Sequence, residues 1–205
     1  MRMKLIFATH NAHKVEELDA ILRPLIPELA GIDAATSLGI DEPVENAVSF
    51  EGNALIKARA VAQATGRPAL ADDSGISVDV LGGAPGIFSA RWSGVHGDDI
   101  ANVALLLAQL ADVPVEHRGA EFICAAALVI PDGREFTQIG RVRGTLRYER
   151  SGEGGFGYDP IFQPEGFDVT AAELKAEQKN AISHRAQAFS AFAPVIRREV
   201  FSQGR

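Results

Sequence analysis

Two adjacent carboxylates, Asp72 and Asp73, close a short apolar run and are followed at once by Ser74 and Gly75. Carboxylates hold hard cations, orient water and accept its proton, so this pair is a candidate for chemistry. On a strand, successive side chains point to opposite faces, which rules out a symmetric dyad. The expectation is a strand that ends here, one carboxylate reaching a metal or a water while the other buttresses a turn that Gly75 permits. A solvated turn between two strands is the competing reading of the bare motif.

Other polar residues fall at the joints of the chain. Lys14 lies in the first turn of a helix that follows an apolar strand and the polar break Thr9-His10-Asn11. Such a turn presents backbone amides and the helix dipole to an anion. A cation there is unfavourable against the dipole unless an anion partners it, and a solvated lysine is the plainer alternative. No Gly-Lys pair occurs anywhere, so the P-loop pattern is missing. Asp41, Glu42, Glu45 and Glu51 cluster in one stretch that reads by default as a solvated loop with helix-start acids. Gly152-Glu153-Gly154-Gly155-Phe156-Gly157 matches G-x-G-x-x-G, but a dinucleotide fingerprint must open a helix. Here Tyr158-Asp159-Pro160-Ile161-Phe162 reads as a turn and then a strand, and Phe156 as a stacking platform for a flat ligand. Ser183-His184-Arg185 precedes the last helix, where the pair can meet carbonyl or phosphate oxygens, or simply cap the helix.

The elements that must position these groups follow from apolar spacing. Met3–Ala8 reads as a buried strand, followed by a helix with Val15, Leu18, Ile21, Leu22 and Leu25 on one face, ended by Pro24 and Pro27. A second helix is expected from about Ser49 to Thr65, carrying Lys57 and Arg59, burying Ala54, Ile56, Ala58 and Val61, and stopped by Gly66-Arg67-Pro68. Asp98 caps a helix with Ile100, Val103, Leu106, Leu107 and Leu110. Phe122–Ile130 is a buried strand, Pro131-Asp132-Gly133-Arg134 a hairpin turn, and the next strand alternates Val142, Gly144, Leu146 and Tyr148 with Arg141, Arg143, Thr145 and Arg147. Those arginines form a solvated face or part of an interface. Thr170-x-x-Glu173 is a capping box expected to open a helix through Leu174 that carries Lys175 and Lys179. In the final helix Ala186, Phe189, Ala193 and Ile196 face inward, and Pro194 should kink or restart it.

A chain of 205 residues supports one sizeable core. A net charge of −7 argues against a nucleic-acid groove as the main function, though not against a local basic pocket for a small polyanion. The one cysteine, Cys124, lies in an apolar run and reads as a buried thiol, so no disulfide forms within the chain, which fits a reducing compartment. The apolar run after Lys4 is too short for a signal peptide, and Phe122–Ile130 is too short to cross a bilayer. The expectation is a cytoplasmic protein with no membrane or nucleic-acid partner. His13, His96 and His117 show no zinc spacing.

Taken in order, the motifs resemble those of the inosine triphosphate pyrophosphatase family over nearly the whole chain. They are Thr9-His10-Asn11-Ala12-His13-Lys14, Glu45, Phe50-x-x-Asn53-Ala54-x-x-Lys57-Ala58-Arg59, Ala71-Asp72-Asp73-Ser74-Gly75, Leu81-Gly82-Gly83-Ala84-Pro85-Gly86 with Ser89-Ala90-Arg91, Gly155-Phe156-Gly157-Tyr158-Asp159-Pro160 and Ser183-His184-Arg185. The resemblance implies an α/β fold: one nucleotide-hydrolysing domain over residues 1–205, a long central mixed sheet flanked by helices, and two lobes with a nucleotide cleft between them. It also implies a homodimer, and Mg2+-dependent hydrolysis of ITP, dITP and XTP to monophosphate and pyrophosphate. By that likeness Thr9, His10, Asn11, Ala12, His13, Lys14 and Lys57 hold the triphosphate, with no separate chemistry for His10. Glu45 and Asp73 serve Mg2+, Asp73 is also the general base, and Asp72 supports it. Ser74 contacts substrate, Phe156, Gly157, Tyr158 and Asp159 frame the base, Lys179 assists binding, and His184 and Arg185 read the purine oxygen.

Two other classes compete. A phosphomonoesterase that forms an aspartyl-phosphate would want Asp-x-Asp after its strand, whereas here the acids are adjacent. A non-catalytic nucleotide-binding module would explain the lysines and Phe156 but leave Glu45 and Asp73 without a purpose.

Overall fold

The run Met3–Phe7, apolar at every position but Lys4, forms strand β1, and the polar break after it delivers the chain into helix α1, Ala12–Leu22. In this computed structural model the described residues are 3–202, with the side chains of Ala12 and His13 outside the description. Strand β2, Leu29–Ala34, follows and pairs parallel with β1. Its sequence, with Gly31 and Asp33 inside it, carries little strand propensity, and the pairing with β1 supplies what local preference does not. Helix α2, Phe50–Thr65, opens on Ser49, whose hydroxyl accepts from the Gly52 amide, and closes on Gly66 in the left-handed conformation.

Strand β3, Ala69–Val78, pairs parallel with β1 and runs straight through Asp72, Asp73 and Gly75. The expected strand end and turn at the two carboxylates are thereby corrected. A strand can carry charged side chains at its centre when each one finds partners, and these do. Helix α3, Asp99–Gln109, is capped by Asp98 as expected, although Ile100 is exposed. Strands β4, Gly119–Val129, and β5, Glu135–Leu146, flank the Pro131–Arg134 turn, in which Gly133 has φ 94°. The short β6, Phe162–Pro164, pairs antiparallel with β5. The sheet order is β2-β1-β3-β4-β5-β6. With parallel and antiparallel pairs in one sheet and helices between the strands, this is the expected mixed α/β fold.

The chain divides into two compact units. The first takes the chain up to Asp73, Cys124–Gly140, and everything from Arg185 onward. Its core joins Leu5, Phe7, Leu18, Leu22, Leu70, Cys124, Leu128, Phe189 and Phe192. The second takes Ser74–Ile123 and Arg141–His184, with a core of Ile76, Val78, Val103, Leu106, Leu146, Tyr158, Ile161 and Phe162.

Two helix expectations need correction. The Thr170 amide does donate to the Glu173 carboxylate at 2.8 Å, but the Thr170 hydroxyl turns to the Ser151 carbonyl. With one half of the capping box diverted, residues 170–174 make only a turn, and helix α4 begins later, Ala176–Ile182, with Lys175 as its N-cap. Helix α5, His184–Ile196, continues past Pro194 without restarting there and widens three residues later into a π-helical turn, Arg197–Phe201. The arginines of β5 are paired with acids: Arg141 with Glu121, and Arg143 through two bonds with Asp79.

Candidate active site

The alternation of β3 separates Asp72 and Asp73 into different company. Asp72 is 1 % exposed. Its Oδ2 accepts from the Arg185 guanidinium at 2.8 and 3.1 Å, and the Lys14 ammonium sits 3.1 Å from Oδ1. Arg185, itself 2 % exposed at the start of α5, also donates to Glu17 on α1 at 2.7 Å. Burial alone would raise the Asp72 pKa, but Lys14, Arg185 and Lys57 outweigh it and hold the carboxyl well below the usual carboxylate range. Asp72 is locked as an anion.

Asp73 lies under the opposite influence. Its Oδ2 accepts from the Asn53 amide at 3.1 Å, and the Lys57 ammonium is 3.8 Å from Oδ1. Lys57 leans toward Glu45, at 2.7 Å. Burial is the largest influence on Asp73 and raises its pKa; Lys57 and Asn53 pull down, while Glu45 and Asp72 push up. The outcome is a carboxyl raised to about 6. Lys57, 6 % exposed, would lose its proton more readily through burial, but Asp72, Asp73 and Glu45 raise its pKa and keep it charged. The burial of Lys57 and Asn53 on α2, where the sequence pattern places Ile56 inward, follows from their carboxylate partners; Ile56 is only part-buried.

The start of α1 is partly self-satisfied. The Asn11 amide donates to the Thr9 hydroxyl at 3.1 Å, and the Lys14 amide to Asn11 Oδ1 at 3.3 Å. His10 is exposed, with Nε2 3.1 Å from the Ile40 carbonyl. Of the six expected triphosphate contacts in this stretch, Ala12 and His13 have side chains outside the described residues.

The second unit holds a separate cluster. Asp159, 4 % exposed, accepts from the Phe156 amide at 2.8 Å and pairs with Lys179. The Lys179 ammonium also stands 4.9 Å from the centre of the ring of Phe156, a residue about half exposed. Gly155, at φ 75°, allows this turn; a Cβ there would collide with the Asp159 carboxylate. The Gly157 amide donates to Asp99 at 2.8 Å, and the Tyr158 hydroxyl to the Ser89 carbonyl at 2.9 Å. Burial, then Asp99, pushes the Tyr158 phenol upward, so it stays neutral. His184 lies flat on Phe122, centroids 5.0 Å apart and planes 12° apart. Ser74 is a part-buried residue of β3.

Sequence reasoning therefore finds both charged groups of the first unit and the aromatic turn of the second. It expects the Arg185 guanidinium at a purine oxygen; here that group meets the Asp72 and Glu17 carboxylates. It misses Glu17, Asn53 and Asp99 as partners. Nothing in the spacing of Glu17 distinguishes it from a solvated helix acid, whereas Asn53, a polar residue at a core position of α2, carries a readable signal. Among the described residues no group of three or more His, Cys, Asp or Glu is gathered as a metal site, and no helix is long and apolar enough to cross a membrane.

The model of the Ham1 family matches residues 5–195. A dITP/XTP pyrophosphatase of Streptomyces coelicolor is 60 % identical over 196 residues, covering 95 % of this chain and 97 % of that protein. One from Leifsonia xyli is 53 % identical over 197 residues, covering 95 % and 96 %. Among solved structures, the dITP/XTP pyrophosphatase of Mycobacterium abscessus is 49 % identical with a TM-score of 0.77, covering 94 % of this chain and all of that one. The Ham1 protein of Staphylococcus aureus is 35 % identical with a TM-score of 0.85, covering 96 % and 100 %.

Proposed function

This chain belongs to the Ham1 family, and from that premise we propose that it hydrolyses the non-standard purine nucleoside triphosphates ITP, dITP and XTP to monophosphate and pyrophosphate, with Mg2+. The observation that carries the reading is the opposite treatment of two adjacent buried carboxylates. One is locked as an anion, and the other, beside Lys57 and Glu45, is raised to about 6, where a general base is useful near neutral pH.

The donor set suits a hard cation. Glu45 and Asp73 share the single ammonium of Lys57, so two carboxylates face one cation. Mg2+ typically takes one or two carboxylates and completes its shell with phosphates and water, so no third acid is required. Glu45 and Asp73 would hold the ion, which when bound neutralises phosphate charge in the transition state.

The protein's own groups do the rest. Asp73 orients a water and takes its proton as the water oxygen bonds to phosphorus. The α–β bridge then breaks and its oxygen leaves with pyrophosphate. Lys14 and Lys57, with Thr9, His10, Asn11, Ala12 and His13, receive the triphosphate, and Ser74 contacts the substrate. Asp72 anchors Lys14 and Arg185. Phe156 stacks on the base, the turn through Gly157, Tyr158 and Asp159 frames it, Lys179 assists, and His184 with Arg185 donates to the 6-oxo group. Adenine would set its 6-amino group against that donor and leave it unpaired, which costs buried polar energy. The likeness to the family supports a homodimer acting in the cytoplasm.

Hydrolysis of ITP, XTP, GTP and ATP with and without Mg2+, with products identified by mass, tests the proposal. Monophosphate plus intact pyrophosphate from ITP and XTP, with GTP and ATP largely spared, is expected. Diphosphate plus orthophosphate would place attack at the γ position and overturn it.

A further inference from the structure

The stretch that carries Glu45, residues 41–48, has no regular structure of its own, yet it must hold one carboxylate in register with another on β3. Asn53 joins the two. It is fully buried on α2, one turn before Lys57, and its carboxamide faces both ways. Nδ2 donates to Asp73 Oδ2 at 3.1 Å, while Oδ1 accepts from the backbone amide of Ala47, two residues beyond Glu45, at 3.0 Å. These partners fix the orientation, because a carboxylate needs a donor and an amide N–H needs an acceptor; rotating the group by half a turn would break both bonds.

A second observation reaches the same contact independently. A Cβ on Gly52 would come within 2.6 Å of the Ala47 Cβ. The loop therefore seats against α2 only because residue 52 has no side chain. Gly52 makes room for Ala47, and Asn53 fastens it.

We propose that Asn53 is a positioning residue, and Gly52 its seat: together they hold the Glu45 loop against Asp73 and so set the affinity for the divalent cation, with little influence on the chemical step. This rests on the reading of Glu45 and Asp73 as the pair that holds the cation. The same link accounts for why a carboxylate ligand can lie on an irregular loop without losing its geometry.

The test uses Gly52→Ala, Asn53→Ala and the double variant of the full chain, with two readouts. Hydrogen exchange at the Ala47 amide reports the contact itself, and it needs no substrate. The Mg2+ concentration for half-maximal ITP hydrolysis, set against kcat at saturating Mg2+, separates cation binding from chemistry. Expected are exchange at Ala47 faster by about tenfold or more in each variant, a Mg2+ requirement raised by about tenfold, and kcat at saturating Mg2+ within about threefold for Gly52→Ala. The double variant should be little worse than the single ones, because both act through one contact. A lowered Tm with Ala47 exchange and Mg2+ requirement unchanged would overturn the proposal, as would faster exchange in Gly52→Ala with no change in Mg2+ requirement. If Asn53→Ala fails to fold, Gly52→Ala decides alone. A wild-type protein that leaves ITP intact would sink the functional reading and this inference's link to the cation, while Ala47 exchange would still decide whether Asn53 ties the loop.

Discussion

Asp72 and Asp73 are the same residue type, adjacent on one strand and both buried, yet they are held at opposite ends of the carboxylate range. On the Asp72 side, Arg185 and Lys14 lie within hydrogen-bond distance. On the Asp73 side the ammonium is 3.8 Å away and shared with Glu45. Burial pushes both pKa values up, so burial does not distinguish them. The local charge balance does. Charge excess on one flank makes a structural anchor, and charge deficit on the other makes a group that can exchange a proton.

Among changes to the neighbours of the two acids, the largest break comes from removing the ammonium that serves the Asp73 flank. Lys57→Met should lower kcat/KM for ITP by at least about 10²-fold, since two carboxylates then face each other without it. Steady-state kinetics would show it, and near-normal turnover would mean Lys57 is only a packing residue. Next, Asp72→Asn leaves Arg185 buried with its Asp72 contacts reduced to neutral ones, and should cost about 3 kcal/mol in urea unfolding at pH 7. An unchanged midpoint would remove the anchor role.

The pH dependence sharpens the same contrast, and its signs differ between the two acids. Asp73 binds its proton more tightly in the folded chain, about 6 against an ordinary 3.8, so its stabilising contribution is full below 3.8 and lost as pH rises through about 6. Asp72 is depressed, so its contribution is present above 3.8 and lost as pH falls toward its folded value. In metal-free buffer, the stability of wild type relative to Asp73→Asn should therefore fall by roughly 2 kcal/mol between pH 4 and pH 7. Relative to Asp72→Asn, the wild-type advantage should shrink below pH 4. Parallel curves for the two variants would contradict the assignment. The smallest effect belongs to the second unit: Phe156→Ala should raise KM for ITP about fivefold, near 1 kcal/mol of stacking, with kcat little changed.

What the sequence revealed and what it hid divide along physical lines. The helix starts at Ser49 and Asp98 are legible because capping is local, a hydroxyl or carboxylate meeting an amide three residues on. Strand β2 is not, since Gly31 and Asp33 interrupt its pattern and only pairing with β1 makes it a strand. The strand end expected at Asp72 fails for a related reason: partners 58 and 113 residues away in sequence, Lys14 and Arg185, make a buried carboxylate tolerable. At Thr170 the local signal is genuine, but a carbonyl at Ser151 competes for the hydroxyl and the helix starts later. In the site, motifs point to Asp72, Asp73, Lys57 and Phe156, while the difference in role between the two acids is written in contacts that no spacing displays.

The measurement that goes most directly to this difference is Asp73→Asn, assayed for ITP turnover and, separately, for ITP binding by calorimetry. The account predicts turnover at saturating Mg2+ reduced by about 10³-fold with binding of metal-free ITP within about threefold, and stability at pH 8 without Mg2+ no lower than wild type. Retained turnover would show that Asp73 is not the base, whatever its neighbours do to its charge.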